Sequence, residues 1–401
     1  MLPQLMNILY YLGSFPKLSE SFVLNEIYEL ENRGHNVAVF ALNNPDGDVE
    51  HEEYEELDVP VHYGDTPSYT DVIDLISPKV IHPSILQNAV FKASPKRHAG
   101  AFHRSKQCIE FVEDQNINID LVHTHFASLG TFPARYVASY YDVPFIVTAH
   151  AADLYHDPNK EQLEHIVSKA DQVVTISEYN KNYIESEITD TTPINVVHAG
   201  IRPEKFEPSS STAGTRILTV SRFVEKKGLP YAIEAVSNVV DQFPDLEYHI
   251  VGSGEMEDGI RERIDEYDLD DTVKLLGNVS DERLIAEFDE ASCFLLPCIV
   301  AESGDRDGIP VALMESMAME TPPISTDVSG IPELIEHQQN GMVVEPKNID
   351  ELAEAVSTIL SDPEKQRQFG EAGREKVKQE FNVEHEAAKL ESVFKKAINQ
   401  Y

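Results

Sequence analysis

A chain of 401 residues with 41% hydrophobic content exceeds one ordinary domain and can fill two cores of roughly 200 residues each. Its 70 acidic against 32 basic residues give a net charge of −38, spread along almost the whole length, which excludes nucleic acid as a partner because phosphate binding needs a basic face. Cys108, Cys293 and Cys298 form neither a metal spacing nor a disulfide framework, which points to a reducing cytoplasm. The opening stretch MLPQLMNILYYLGSFP has no basic residue before Lys17, and its apolar part is too short to span a bilayer, so it reads as a strand.

From there strand and helix signals alternate. Met6–Leu12 reads as a strand, Glu20–Asn32 as a helix with Ser19 as its N-cap, and Val37–Leu42 as a strand. After an irregular acidic region come strand Ile119–His123, helix Leu129–Tyr140, strand Pro144–Thr148, a helix near Glu161–Lys169, strand Gln172–Ile176, helix Glu178–Ile188 and strand Ile194–His198. Residues 201–215, rich in Pro, Ser and Thr, read as a linker. A second series follows: strand Arg216–Val220, helix Leu229–Gln242, strands Glu247–Val251 and Val273–Leu276, helix Asp281–Asp289 and strand Cys293–Leu296. Strands Pro323–Thr326 and Met342–Val344 and a helical tail ending in the amphipathic His385–Asn399 complete it. The rhythm predicts an α/β protein with two doubly wound parallel sheets.

One stretch departs from the acidic background: no acid falls between Asp74 and Glu110, where Lys79, Lys92, Lys96, Arg97, Arg104 and Lys106 alternate with apolar residues. Either this is a buried helix pair, or it is a docking surface for an anionic membrane or a lipid-linked molecule. The second reading would place the protein at the inner face of the cell membrane.

Candidate chemistry collects where strands end. In LLPCIVAESGDRDGIPVALMESMAME a strand runs into an acidic loop, Glu302 to Gly308, and then a helix with Pro310 at its first position. Free N–H groups beside Pro310, at Gly308, Ile309 and Val311, suit a phosphate, and Asp307 and Glu315 can accept hydrogen bonds from sugar hydroxyls. Ser221-Arg222-Phe223-Val224-Glu225-Lys226-Lys227-Gly228 places cations after another strand, where a pyrophosphate would lie. Val251-Gly252-Ser253-Gly254-Glu255 has Glu257 where a dinucleotide fingerprint needs Gly, which argues against a dehydrogenase. His150 ends a strand beside small residues, and His123 and His125 have no evident third or fourth metal ligand, so they read as lining.

These segments resemble the retaining glycosyltransferases of family 4, of the GT-B fold and E-x7-E type. Asp307 stands where the first Glu is usual, one methylene shorter, with Glu315 as the second. Ser221–Gly228 resembles the S-R-x-x-x-x-K-G motif, and TAHAAD the T-x-H-G motif with Ala151 in place of Gly. FPKLSESFVLNEI resembles the acceptor-side loop, GNVS the turn that meets the base, and His198 stands where Asn-Gly is frequent. The acidic composition is similar to that of halophile proteins.

The resemblance implies two Rossmann-like domains facing a central cleft. An acceptor domain, 1–200, would precede the linker and a nucleotide-sugar domain, 216–384, with the helix 385–401 packing back on the first. It further implies retaining transfer of a hexose-type residue from a UDP-, GDP- or ADP-sugar to a hydroxyl of a glycan or lipid-linked acceptor, without metal or other cofactor. Arg222 and Lys227 would neutralise the diphosphate, with His150 and Asp307 at the reacting sugar. Gly13, Gly252, Gly277, Val279 and the segment Gly308, Ile309, Pro310, Val311 with Glu315 would line the donor. Ser14, Phe15, Pro16, His125 and Asp153 would meet the acceptor. A GT-B epimerase or hydrolase should lack the paired cations and carboxylates, and a non-enzymatic nucleotide-sugar sensor should lack His150.

Overall fold

The computed structural model describes residues 5–17, 20–44, 54, 56–65, 95–156, 158–189, 191–209 and 214–401, with backbone alone for 95–98. It divides into two compact units: Met1–Leu154, Pro158–His198 and Glu386–Tyr401 form the first, Tyr155–Asp157 and Ala199–His385 the second.

The first unit is built on strands β1 (Asn7–Ser14), β2 (Asn36–Asn43), β3 (Val61–Tyr63), β4 (Leu121–His125), β5 (Phe145–Ala149), β6 (Gln172–Thr175) and β7 (Ile194–Val196). Their order is β3-β2-β1-β4-β5-β6-β7, and every pair is parallel. Helices cover such a sheet on both faces, so the strands are apolar throughout: Ile8 to Leu12 are all buried. The order reverses between β1 and β4, which opens a crevice outside their carboxyl ends.

The second unit repeats the logic with β8 (Arg216–Val220), β9 (Glu247–Val251), β10 (Val273–Gly277), β11 (Cys293–Leu295), β12 (Pro323–Thr326) and β13 (Met342–Val344). The order is β10-β9-β8-β11-β12-β13, again parallel, with the reversal between β8 and β11. Several helices begin where a short polar side chain accepts the backbone N–H three residues on: Asn159 from Gln162, Ser177 from Asn180, Ser280 from Arg283, Asn348 from Glu351 and Asp362 from Lys365.

Departures from the expected elements have local causes. The helix expected from Leu129 starts at Pro133, since proline accepts a first-turn position and the residues before it form a turn. The helix from Leu229 stops at Ser237, and Val240–Gln242 is a separate 3-10 turn. Glu257–Glu266 is a helix that was not expected, because Ile260 and Ile264 are its only buried residues among charges. Pro310 is the N-cap of Val311–Ala318, one place before the position expected. The stretch that composition marks as a linker begins folded: Ile201 N–H donates to the Phe381 carbonyl at 2.9 Å, and Phe206 is buried in the second unit's core. Ser19 and residues 66–94 of the acid-free stretch lie outside the described residues. In the described remainder, helix Pro95–Asp114 buries Phe102, Cys108 and Ile109. No helix among the described residues is long and apolar enough to cross a membrane.

The last helix, Val383–Gln400, enters the first unit from Glu386 onward. Ala387, Leu390, Phe394 and Ala397 complete a core with Ile8, Tyr10 and Leu24, and Glu391 accepts from Arg33 at 2.9 Å. Truncating fully buried Phe394 to Ala should therefore cost about 3–4 kcal/mol. Denaturant unfolding of the F394A variant checks this; a loss near zero would mean that the helix is not part of the core.

Candidate active site

In the second unit the loops after β8, β9 and β11 close on one another, and glycines permit it. Gly228 has φ +68°, and a Cβ there would stand 2.0 Å from the Pro297 carbonyl oxygen. Gly252, at φ +123°, would bring a Cβ to 1.9 Å from the Ser221 carbonyl oxygen, so no side chain fits at either place. Ser221 N–H donates to Val251 at 3.0 Å, Phe223 N–H to Ser253 at 2.8 Å, and Gly252 N–H to Gly277 at 2.8 Å. Gly277 thus joins the cluster. A Cβ at Gly277 would meet nothing within 4 Å, but its φ of +67° favours glycine.

The loop after β11 is tied to the first loop by Ile299 N–H donating to the Lys226 carbonyl at 2.9 Å, and Glu302 N–H to Glu225 Oε1 at 2.9 Å. Between them sits an ion cluster. Lys227 Nζ lies 2.7 Å from Asp307 Oδ2, and Lys226 Nζ lies 3.5 Å from Asp307 Oδ1 and 3.1 Å from Asp305 Oδ1. Cys298 Sγ stands 3.5 Å from Asp307, its thiol pushed up by burial and by that carboxylate. Burial alone would lower Lys227, yet Asp307 more than offsets it and the ammonium ends raised. Burial likewise pushes the Asp307 carboxyl up, but Lys227 and then Lys226 hold it below its ordinary value.

The expected pair Lys227 and Asp307 is therefore together, with a different division of labour. The carboxylate expected at the donor sugar holds Lys227 in place. Arg222, exposed next to this cluster, has no ion pair among the described residues and stays available to an anion. Gly308, Ile309 and Pro310 are buried and lead straight into Val311, and Val279 is half-buried against the core that holds Ile309 and Leu313. Glu315 is half-buried on the following helix. Lys226 stands out in sequence only as the neighbour of Lys227, and Asp305, which with Glu302 and Asp307 could mimic a cation site, meets a lysine instead.

In the first unit, β4 and β5 deliver His125 and His150 to the crevice beside β1. His125 Nδ1 lies 3.0 Å from His150 Nε2, and His125 Nε2 lies 3.0 Å from Glu26 Oε1. Tyr10 donates to the same Glu26 oxygen at 2.6 Å, and His123 Nε2 lies 2.8 Å from Thr148 Oγ1. Glu26 is thus a third potential ligand beside His123 and His125, which corrects the expectation that none exists. It lies within the FPKLSESFVLNEI stretch, but one acid among 70 carries no signal of its own.

Asp153 accepts from the backbone N–H of His150 at 2.9 Å and of Ala127 at 3.0 Å, clamping the two strand ends together. Burial pushes its carboxyl up to about 7 against these two hydrogen bonds. The Phe15 ring is buried in the core and Pro16 is covered, so this pair offers an acceptor no free side chain. Gly13 and Ser14 are half-buried at the end of β1, and a Cβ at Gly13 would meet nothing within 4 Å: the space there is open.

Two parallel α/β units, the second with cations and a helix start gathered at its reversal point, define a GT-B glycosyltransferase. Residues 201–376 match the model of the family described as glycosyl transferases group 1, and residues 19–205 that of Glycosyltransferase Family 4. The amylovoran biosynthesis glycosyltransferase AmsK of Erwinia amylovora is 30% identical over 399 residues, covering 94% of this chain and 96% of that protein. The putative colanic acid biosynthesis glycosyltransferase WcaL of Escherichia coli is 28% identical over 401 residues, covering 94% and 96%. The chain belongs to the family 4 glycosyltransferases. Among solved structures, Anabaena HepE in complex with UDP superposes with a TM-score of 0.76 at 16% identity, over 98% of this chain and 100% of that one. A glycosyltransferase from Rickettsia africae does so with 0.74 at 19%, over the whole of both chains.

The ion cluster makes a signed prediction. Asp307→Asn leaves two buried ammonium groups with one carboxylate fewer and should cost about 3 kcal/mol at neutral pH. The depressed Asp307 carboxyl contributes stability above its ordinary value of 3.8 and loses it as pH falls through the lower folded value. The raised Lys227 contributes below 10.5 and loses it as pH climbs through the higher folded value. Urea unfolding of wild type and D307N should differ by a constant amount through neutral pH, and the gap should narrow in acid below about 3.8. A gap that widened in acid would contradict the pairing.

Proposed function

We propose that this glycosyltransferase moves a hexose-type sugar from a nucleotide diphosphate sugar to a hydroxyl of a glycan or lipid-linked acceptor, with retention of anomeric configuration. The observation that carries the reading is the anion-ready crevice between β8 and β11: exposed Arg222, Lys227 held by Asp307, and the start of helix Val311–Ala318. HepE structures that hold UDP, and UDP with glucose, support a nucleotide-sugar donor. Relatives named for amylovoran and colanic acid biosynthesis support a polysaccharide precursor as acceptor.

The glycosidic bond from C1 to the β-phosphate oxygen breaks and leaves its electron pair on the diphosphate. Arg222 and Lys227 stabilise that charge, and the helix N-terminus adds its N–H groups. The acceptor oxygen bonds to C1 from the same face, and its proton passes to the departing phosphate oxygen. Glu315 holds donor hydroxyls, while Asp307 acts through Lys227 instead of touching the sugar. The charge on the diphosphate is met by side chains, so the reading needs no metal. The acceptor belongs to the first unit, near Gly13, Ser14 and His150. The net charge of −38 suits work in concentrated salt.

Thermal shift against UDP-, GDP- and ADP-sugars identifies the donor, since a ligand bound only by the folded state raises Tm. With that donor, Glu315→Ala should weaken binding by about 1–3 kcal/mol. Calorimetric titration of E315A measures it, and donor affinity equal to wild type would remove Glu315 from the site. Anomeric NMR of the product decides between retention and inversion.

A further inference from the structure

The first unit contains a buried line of polar groups that the transfer reaction does not by itself require. Tyr10 Oη to Glu26 Oε1 is 2.6 Å, Glu26 Oε1 to His125 Nε2 is 3.0 Å, and His125 Nδ1 to His150 Nε2 is 3.0 Å. The two imidazoles are almost wholly buried, and Phe22 and Phe126 lie with ring centroids 4.9 and 4.6 Å from that of His150, holding its plane. Phe126 itself has a φ of +68°, a strained conformation for a bulky residue, next to His125.

Proton positions follow from the partners. An ionised Glu26 can only accept, so His125 carries its hydrogen on Nε2. With His125 neutral, its Nδ1 then has a lone pair, and His150 donates from Nε2. The remaining nitrogen, His150 Nδ1, has no hydrogen bond among the described residues and presents a lone pair.

We propose that Glu26 is a positioning residue that, through His125, fixes His150 in the tautomer that accepts a hydrogen bond at Nδ1, so that this histidine recognises a sugar hydroxyl as donor. The assignment rests on the glycosyltransferase reading for the sugar, but not for the tautomer. A His150 of the opposite tautomer would offer an N–H and favour a carbonyl or phosphate oxygen instead. Direction of donation therefore sets which part of a substrate can sit at the end of β5. The other groups facing the line are His123 on β4, Asp153 on helix Ala151–Tyr155, and Glu20 just before helix Ser21–Asn32. Burial pushes His123 down to about 3 and His150 well below its ordinary value.

Long-range proton–nitrogen NMR of the full chain with labelled histidine tests the proposal, with His150 assigned by loss of its signals in H150N. Wild type should show His150 protonated at Nε2, and so should Tyr10→Phe, which leaves the carboxylate in place. In Glu26→Gln the fixed acceptor is replaced by an amide that can donate or accept, and the single tautomer should give way to a mixture. Turnover in E26Q should fall about tenfold, as for one misdirected hydrogen bond, with donor affinity unchanged, and Glu26→Asp should recover part of it. A wild-type His150 protonated at Nδ1, or a folded E26Q with an unaltered tautomer, overturns the proposal. If E26Q does not fold, the wild-type spectrum alone still decides. Glu26, His123 and His125 bring three ligand atoms within 4.8 Å of one another, so equilibrium dialysis with zinc is the second arm. Stoichiometric zinc would replace the proton between His125 and Glu26 and also overturn it. Because tautomers are read without turnover, failure of the transfer reading and failure of this one are distinguishable.

Discussion

A lysine ammonium in a poorly solvated place must be kept charged, and Asp307 does this for Lys227. The constraint propagates. For the carboxylate to reach the ammonium, the loop after β11 must fold back on the loop after β8, and that contact leaves no room for a side chain at Gly228. The same closure leads the chain through Gly308 and Pro310 into helix Val311–Ala318. Positive charge, backbone donors and a rigid floor arise together because one ion pair requires the loops to meet. Arg222, exposed beside this cluster, has no ion pair among the described residues.

The first unit solves a different problem by related means. Its crevice holds buried imidazoles joined to one another and to a carboxylate by hydrogen bonds. Asp153 clamps the backbone of both strand ends while Glu26 orders the rings, so two carboxylates act there without either serving as an exposed contact. The acidic surface contributes little to this order, since screened charges in water interact weakly.

Much of the fold was legible because parallel strands covered on both faces are apolar runs, and such runs stand out in a polar chain. Arg216–Val220, Glu247–Val251, Pro323–Thr326 and Met342–Val344 could be bounded to the residue. Helix Glu257–Glu266 was not, because two buried isoleucines leave almost no periodic pattern. In the site, residue types and spacing placed Arg222, Lys227 and Asp307 near one another, but pairing is a matter of distance. Nothing in DRDG says that Asp307 faces a lysine. Glu26 was invisible for the same reason: one of its partners, His125, is 99 positions away in the chain. Phe15 misled because a motif position says nothing about which way a ring turns.

The division of the chain has a consequence for biogenesis. The second unit is one nearly unbroken segment, Ala199–His385, whereas the first needs Leu390 and Phe394 to fill its core. On the ribosome the amino-terminal half emerges first and yet must wait, with an unfilled apolar trough, until everything up to Phe394 has been synthesised. The later-made half can finish first. Vectorial synthesis and order of completion thus run in opposite directions in this protein, and the interval between them is when chaperones would meet it.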